Sequence, residues 1–306
     1  MRFKLSFFGG GTATRGRVQD FRYYSTFYKL ISLLFFAIAG VLIKIYSGPW
    51  WVAALIFGFS LLVFLWNENA SLSLLIALLP VLDFGVWTGN ILVSEYDILF
   101  IMSMSFLLWK KTFSRYHYSN ELFFIFVFFW FFLCSVIGFL NYVSAYGGDD
   151  VYQSPFNSVR VGKGFLSAWI FWYLIRDKIH KDAKTVSYHL GAGVLGGLFL
   201  LSLSVLWERH VFSAFMTGNP YYFLSTLLDF STTYRVTGFF SGMHVGGTAL
   251  DGYLVAVVPL AFFVLIRQKD KFWISISAVV FFLGLYSLLV TFTRMTIASF
   301  GISFIV

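Results

Sequence analysis

The chain has 306 residues, of which 59% are hydrophobic and 12% charged, and it carries a net charge of +8. With 40 phenylalanines and a mean hydropathy of +0.80, this composition excludes a soluble globular domain and indicates an all-α polytopic membrane protein. The one cysteine, Cys134, excludes an intrachain disulfide and a cysteine-based metal cluster.

Residues 1–26 read as a basic cytoplasmic tail, and the "GGGTATRGR" segment within it lacks the Lys-Ser/Thr ending of a phosphate loop. Residues 27–306 read as a transmembrane helical domain, because one bilayer crossing needs about 20 mostly apolar residues. Apolar runs fall at 27–46, 50–66, 70–82, 91–109, 121–140, 160–175, 185–206, 246–266 and 272–290. Another begins near Met295 and runs to Val306. The expectation is nine to ten transmembrane helices, the last cut short as in a C-terminally truncated chain. The longest connection, 207–245, is expected outside the membrane. Within it, Asn219 as N-cap and Pro220 as first helical residue predict a short interfacial helix. No internal repeat is present in the sequence, so an inverted-repeat transporter gains no support.

Lys and Arg mark cytoplasmic loops. With the N-terminus placed in the cytoplasm, 16 of the 22 basic residues fall in inner segments, Lys110, Lys111, Arg176, Lys178 and Lys271 among them. The net charge is thereby a topology signal, and no nucleic-acid partner is expected. Six basic residues remain: Lys44, Arg160, Lys163, Arg209, Arg235 and Arg294.

The remaining charges gather at the outer level. Arg160, Lys163 and Ser167 follow i, i+3, i+7 spacing. His244, Thr248 and Asp251 follow i, i+4, i+7, as do Asn90, Ser94 and Asp97, with Glu95 beside them. Ionisable groups at membrane depth cost a few kcal/mol each, so such stripes line wet cavities with a task. Their alternative role is structural: snorkelling helix ends, or pairs such as Arg160 with Asp97 that hold a bundle together. The structural role is assigned here to Lys44 and Arg209. Arg235 precedes one outward-pointing helix N-terminus and Arg294 sits at another, a setting that suits phosphate. Gly238 and the glycines after it let backbone approach a ligand closely. No carboxylate cluster has metal-ligand spacing, and His210 and His244 lie far apart in sequence, so neither a metal nor a cofactor is expected.

The stretch "YRVTGFF", then "GMHVGGTALDGYLVAVVPLAFFVLI", the basic turn "RQKDK", another span and "LLVTFTRMTIASFGISFIV" resemble the O-antigen ligase and polysaccharide polymerase family of bacterial membrane glycosyltransferases. Arg235, Gly238 and Phe239 match the family's Arg-x-x-Gly-Phe motif, and Thr293-Arg294 match its Thr/Ser-Arg motif; the likeness is specific over about 205–306. The resemblance implies exopolysaccharide or O-antigen biosynthesis in the bacterial inner membrane. There a glycan would pass, without a metal, from undecaprenyl pyrophosphate to a glycan or lipid acceptor at the periplasmic face. Arg235 and Arg294 would hold the pyrophosphate, with His244 and Asp251 as further catalytic candidates. Arg160, Lys163, Gly238, Glu95 and Asp97 would bind substrate. Polysaccharide-export machinery is a further partner of such an enzyme. The Asn-Pro-Asn common after the first motif is replaced here by Ser241-Gly242-Met243-His244, and the expectation of a truncated chain would put the large outer loop that often supplies a histidine base beyond Val306. Two other functions stay open at the level of sequence: a transporter or flippase of a lipid-linked or polysaccharide substrate, and a non-catalytic assembly subunit.

Overall fold

The computed structural model describes residues 14–46, 48–82, 93–111, 121–145, 155–217, 227, 228, 230, 236, 238, 248–292 and 294–303. Among these there are ten helices and no strand: α1 (Thr14–Ile45), α2 (Trp50–Trp66), α3 (Ala70–Leu78), α4 (Glu95–Trp109), α5 (Glu121–Ala145), α6 (Pro155–Lys181), α7 (Ala183–Thr217), α8 (Thr248–Arg267), α9 (Lys271–Val290) and α10 (Arg294–Ser303). The protein is all-helical, as its composition demands.

The expectation of nine to ten crossings does not carry over to the helices. Four are long and apolar enough to cross a bilayer: Thr26–Ile45, Ala183–Phe212, Leu250–Arg267 and Lys271–Val290. Two shorter apolar segments, Trp50–Trp66 and Ile125–Asn141, fall below that length. The surplus has a physical cause, since an apolar run faces either lipid or other helices and hydropathy does not separate the two. The nine residues of α3 rise only about 14 Å. The fifteen-residue α4 is buried on nearly every side, with α1, α2, α3 and α6 packed around it. The ten residues described of α10 are equally short of a crossing.

Two apolar clusters join through α7. One gathers Leu72 and Leu75 of α3, Leu99 and Met104 of α4, and Leu174 of α6. The other gathers Leu198 and Leu201 of α7, Leu254 and Val258 of α8, and Phe281 and Leu288 of α9. Small polar residues tie the seams, as is usual where lipid supplies no hydrophobic drive between helices. Ser32 donates to the Ser105 carbonyl at 2.7 Å and Ser105 donates to the Ser32 carbonyl at 2.8 Å, clipping α1 to α4. Ser287 on α9 donates to Ser202 on α7 at 3.1 Å. Around this core Phe123, Phe126, Phe129, Phe131 and Phe132 of α5, which packs on α6, stand exposed, as a lipid-facing surface requires.

Helix bounds differ from the sequence expectation in two places. α1 begins at Thr14, so the second half of the supposed 1–26 tail is helical, and α7 runs to Thr217, so the first eleven residues of the supposed 207–245 loop are helical. The predicted N-cap pair Asn219-Pro220 lies outside the described residues.

Candidate functional site

The two ends of the bundle differ in chemistry. At one end Lys178 donates to Glu68 at 2.8 Å, Lys110 lies 3.3 Å from the same carboxylate, and Lys111 lies 3.3 Å from Asp177. The Lys111 side chain is largely shielded from solvent and sits over the Tyr173 ring, 3.6 Å from its centroid. Glu68 lies in the α2–α3 turn. Burial pushes its carboxyl up, but the hydrogen bond and charge of Lys178, and then of Lys110, outweigh this and hold it below its ordinary range. These are the residues that the charge pattern assigns to the inner side.

The opposite end holds the cleft. The start of α4, the stretch of α6 from Arg160 to Phe171 and the C-terminal part of α3 enclose a cavity of about 460 Å³. Its rim carries Arg160, Lys163, Ser94 and Asp97, and its floor is Leu75, Phe100 and Phe171. The α6 face that lines it runs Arg160, Lys163, Gly164, Ser167, Ala168, Phe171. That spacing keeps every member on one side of the helix and spans about 16 Å from cation to aromatic ring. The stripe read from the sequence at Arg160, Lys163 and Ser167 thus lines a single cavity. Asp97 pairs with Lys163, whose Nζ lies 2.5 Å from Asp97 Oδ2.

Asp97 also has a structural task. Ser94 caps α4 and its backbone N–H donates to Asp97 Oδ2 at 2.8 Å, closing a capping box. Ser94 is therefore the N-cap of α4 rather than a residue within the helix; Asn90, the other member of the stripe read from the sequence, lies outside the described residues. The sequence Ser94-Glu-Tyr-Asp97 spells this cap, a signal the periodicity reading passed over. Glu95, expected at the substrate, is not among the cleft's lining residues. It is 1% exposed and accepts a short hydrogen bond from Tyr46, which fastens the end of α1 to α4.

The residues of the family-like motifs are partly in view. Arg235 and His244 lie outside the described residues. Val236, the residue after Arg235, is buried in the α7–α8–α9 cluster, against which Phe292 also packs. Gly238 has φ 85, a left-handed conformation that glycine adopts without strain, and its N–H donates to Glu208 at 2.7 Å. Phe292 has φ 53, which for a phenylalanine is strained. This turn leads into Arg294, the exposed first residue of α10. Asp251, in the first turn of α8, is 8% exposed, and its Oδ1 has no hydrogen-bond donor among the described residues. Arg209, read from the sequence as structural, is 4% exposed and lies 5.4 Å from the Phe230 ring centre and 5.7 Å from that of Phe292. Its buried guanidinium thus lies near rings of two segments that carry the family-like motifs. Its one sequence signal is a charge near the end of an otherwise apolar run.

No group of three or more potential metal ligands occurs among the described residues. The cleft has two cations and one carboxylate on its rim and an apolar floor, so it suits a ligand with an anionic head and a greasy tail. No family model, no curated protein and no solved structure matches the chain.

Proposed function

We propose that this protein binds a polyprenyl-pyrophosphate-linked glycan in the membrane and transfers the glycan to an acceptor hydroxyl, as the resembling polymerases and ligases do. The observation that carries the reading is the cleft with Arg160 and Lys163 on its rim and Phe100 and Phe171 on its floor. A pyrophosphate is a multiply charged leaving group, and fixed cations stabilise it as the glycosidic carbon–oxygen bond breaks. The new bond forms to the acceptor oxygen, whose proton passes to a base; Asp251 and His244 are the candidates. Arg235 and Arg294 act on the same leaving group in this reading. Support for their convergence comes from Val236 and Phe292, near neighbours of the two arginines, packing into one cluster.

The proposed orientation puts the Glu68–Lys178 end in the cytoplasm and the cleft at the outer, periplasmic face of a bacterial inner membrane. Support comes from the basic residues of separate inner segments meeting at one end of the bundle. More crossings than the four long spans are part of this reading, with α2 and α5 contributing through their apolar surfaces.

The test is reconstitution of purified protein in vesicles with a polyprenyl-pyrophosphate-linked oligosaccharide. Polymer or ligated product, released polyprenyl pyrophosphate, and loss of both in Arg160→Ala and Arg294→Ala support the proposal. Movement of the lipid-linked sugar across the bilayer without product favours a flippase. Neither product nor movement leaves an assembly subunit as the better reading.

A further inference from the structure

A second cavity, of about 520 Å³, lies between α7 and α9, away from the cleft. Its walls include Leu195 and Phe199 of α7 and Trp273, Ile276, Val279 and Val280 of α9. Ser275, a polar member, spends its hydroxyl on the Lys271 carbonyl of its own helix at 3.0 Å. The lining is thus an apolar trough facing what the spans make the lipid phase, and its size falls within the ~300–1,000 Å³ typical of ligand-sized cavities.

The two helices are parallel. Tyr188 meets Trp273, Leu198 meets Gly284, and Ser202 meets Ser287, so positions rise together along both. Their N-termini therefore lie side by side at one end of the trough. Lys184 lies one helical turn before Tyr188, and Lys271 lies two residues before Trp273; both lysines are exposed. The nearby acids are engaged as caps. Asp182 accepts from the Thr185 N–H and Asp270 from the Phe272 N–H, each at 3.1 Å. The Thr185 hydrogen bonds, from side chain and backbone, hold the Asp182 carboxyl below its ordinary range. Trp273 and Tyr188 meet edge to face where the trough opens, as interfacial aromatics do at headgroup depth.

We infer that the α7–α9 trough is a binding site for one anionic phospholipid, with an acyl chain along Phe199 and Val279 and its headgroup phosphate between Lys184 and Lys271. Charge selects this occupant. A zwitterionic lipid fills the trough equally well but gains less at the lysines, and a second copy docked symmetrically would set the two lysine pairs against each other. This site stands apart from the glycosyl-transfer reading and needs only that the apolar helices lie in a bilayer.

The test uses Trp273 as its own reporter. The full chain is placed in phosphatidylcholine vesicles that carry either brominated phosphatidylglycerol or brominated phosphatidylcholine. The chain has 10 tryptophans, so the Trp273 signal is taken as the difference between wild type and Trp273→Phe. The expected result is stronger quenching of Trp273 by the anionic lipid, with roughly a fivefold gain in apparent affinity per lysine. Lys184→Gln with Lys271→Gln should remove the preference, and the arginine pair of substitutions should keep it. Quenching of the other tryptophans, unchanged across the variants, reports an intact fold. Equal quenching by the two lipids in wild type overturns the inference. So does absence of Trp273 quenching by either lipid together with cross-linked dimers, which would place protein in the trough.

Discussion

Lys163 sets the charge of the cleft, and Asp97 sets how much of that charge a ligand feels. The ion pair at 2.5 Å is partly open to solvent, so its own worth to stability is about 1 kcal/mol or less. Its larger effect is on binding. Asp97→Asn removes the counter-charge and leaves two cations to an incoming anion. The prediction is that pyrophosphate, measured by titration calorimetry against detergent-solubilised protein, binds several-fold more tightly to Asp97→Asn and at least tenfold more weakly to Lys163→Met. Weaker binding in Asp97→Asn would make the carboxylate a direct ligand instead. Ser94→Ala removes the cap and should cost about 1 kcal/mol of thermal stability.

At the scale of helices, close approach depends on glycine at particular places. A Cβ on Gly193 of α7 would lie 2.8 Å from the Ser73 carbonyl oxygen of α3, and one on Gly197 would lie 2.5 Å from the Tyr253 hydroxyl of α8. The Ser73 hydroxyl crosses the same seam and donates to the His189 carbonyl at 2.9 Å. A backbone atom cannot swing aside as a side-chain tip can, so Gly193→Ala should force α3 from α7 and cost about 1–3 kcal/mol. Gly252→Ala, with nothing within 4 Å of the added carbon, should be neutral or slightly stabilising. Melting temperatures of the two variants in one detergent check the contrast. Because α3 forms a wall of the cleft, Gly193→Ala should also weaken pyrophosphate binding although it lies outside the lining.

Across the whole molecule, Glu68 closes the end opposite the cleft by joining the α2–α3 turn to α4 through Lys110 and to α6 through Lys178. Its folded pKa is lowered below the ordinary 4.5. The ion pairs therefore contribute their full stability above about pH 4.5 and lose it as pH falls through the lower folded value. Glu68→Gln should be about 1 kcal/mol less stable than wild type at neutral pH, and the two melting curves should converge in acid. A gap that persists below that window would mean that Glu68 acts through packing rather than charge.

Much of this was legible in the chain. Hydropathy determined an all-helical membrane protein, because lipid leaves backbone groups no other solvent. The spacing of Arg160, Lys163 and Ser167 determined that they share a face, since helix geometry alone sets that. The scatter of lysines determined which segments gather at one end. Tertiary packing decided the rest. It buried α4 among other helices, so that its apolar run faces protein rather than lipid. It paired Asp97 with Lys163, turned Glu95 away from the cleft towards Tyr46, and set the Arg209 guanidinium near Phe230 and Phe292. The physical reason is common to all four. Sequence period fixes where a side chain points on its own helix, but which neighbour fills the space beyond it depends on how distant segments pack, and that is set by the sum of many small contacts.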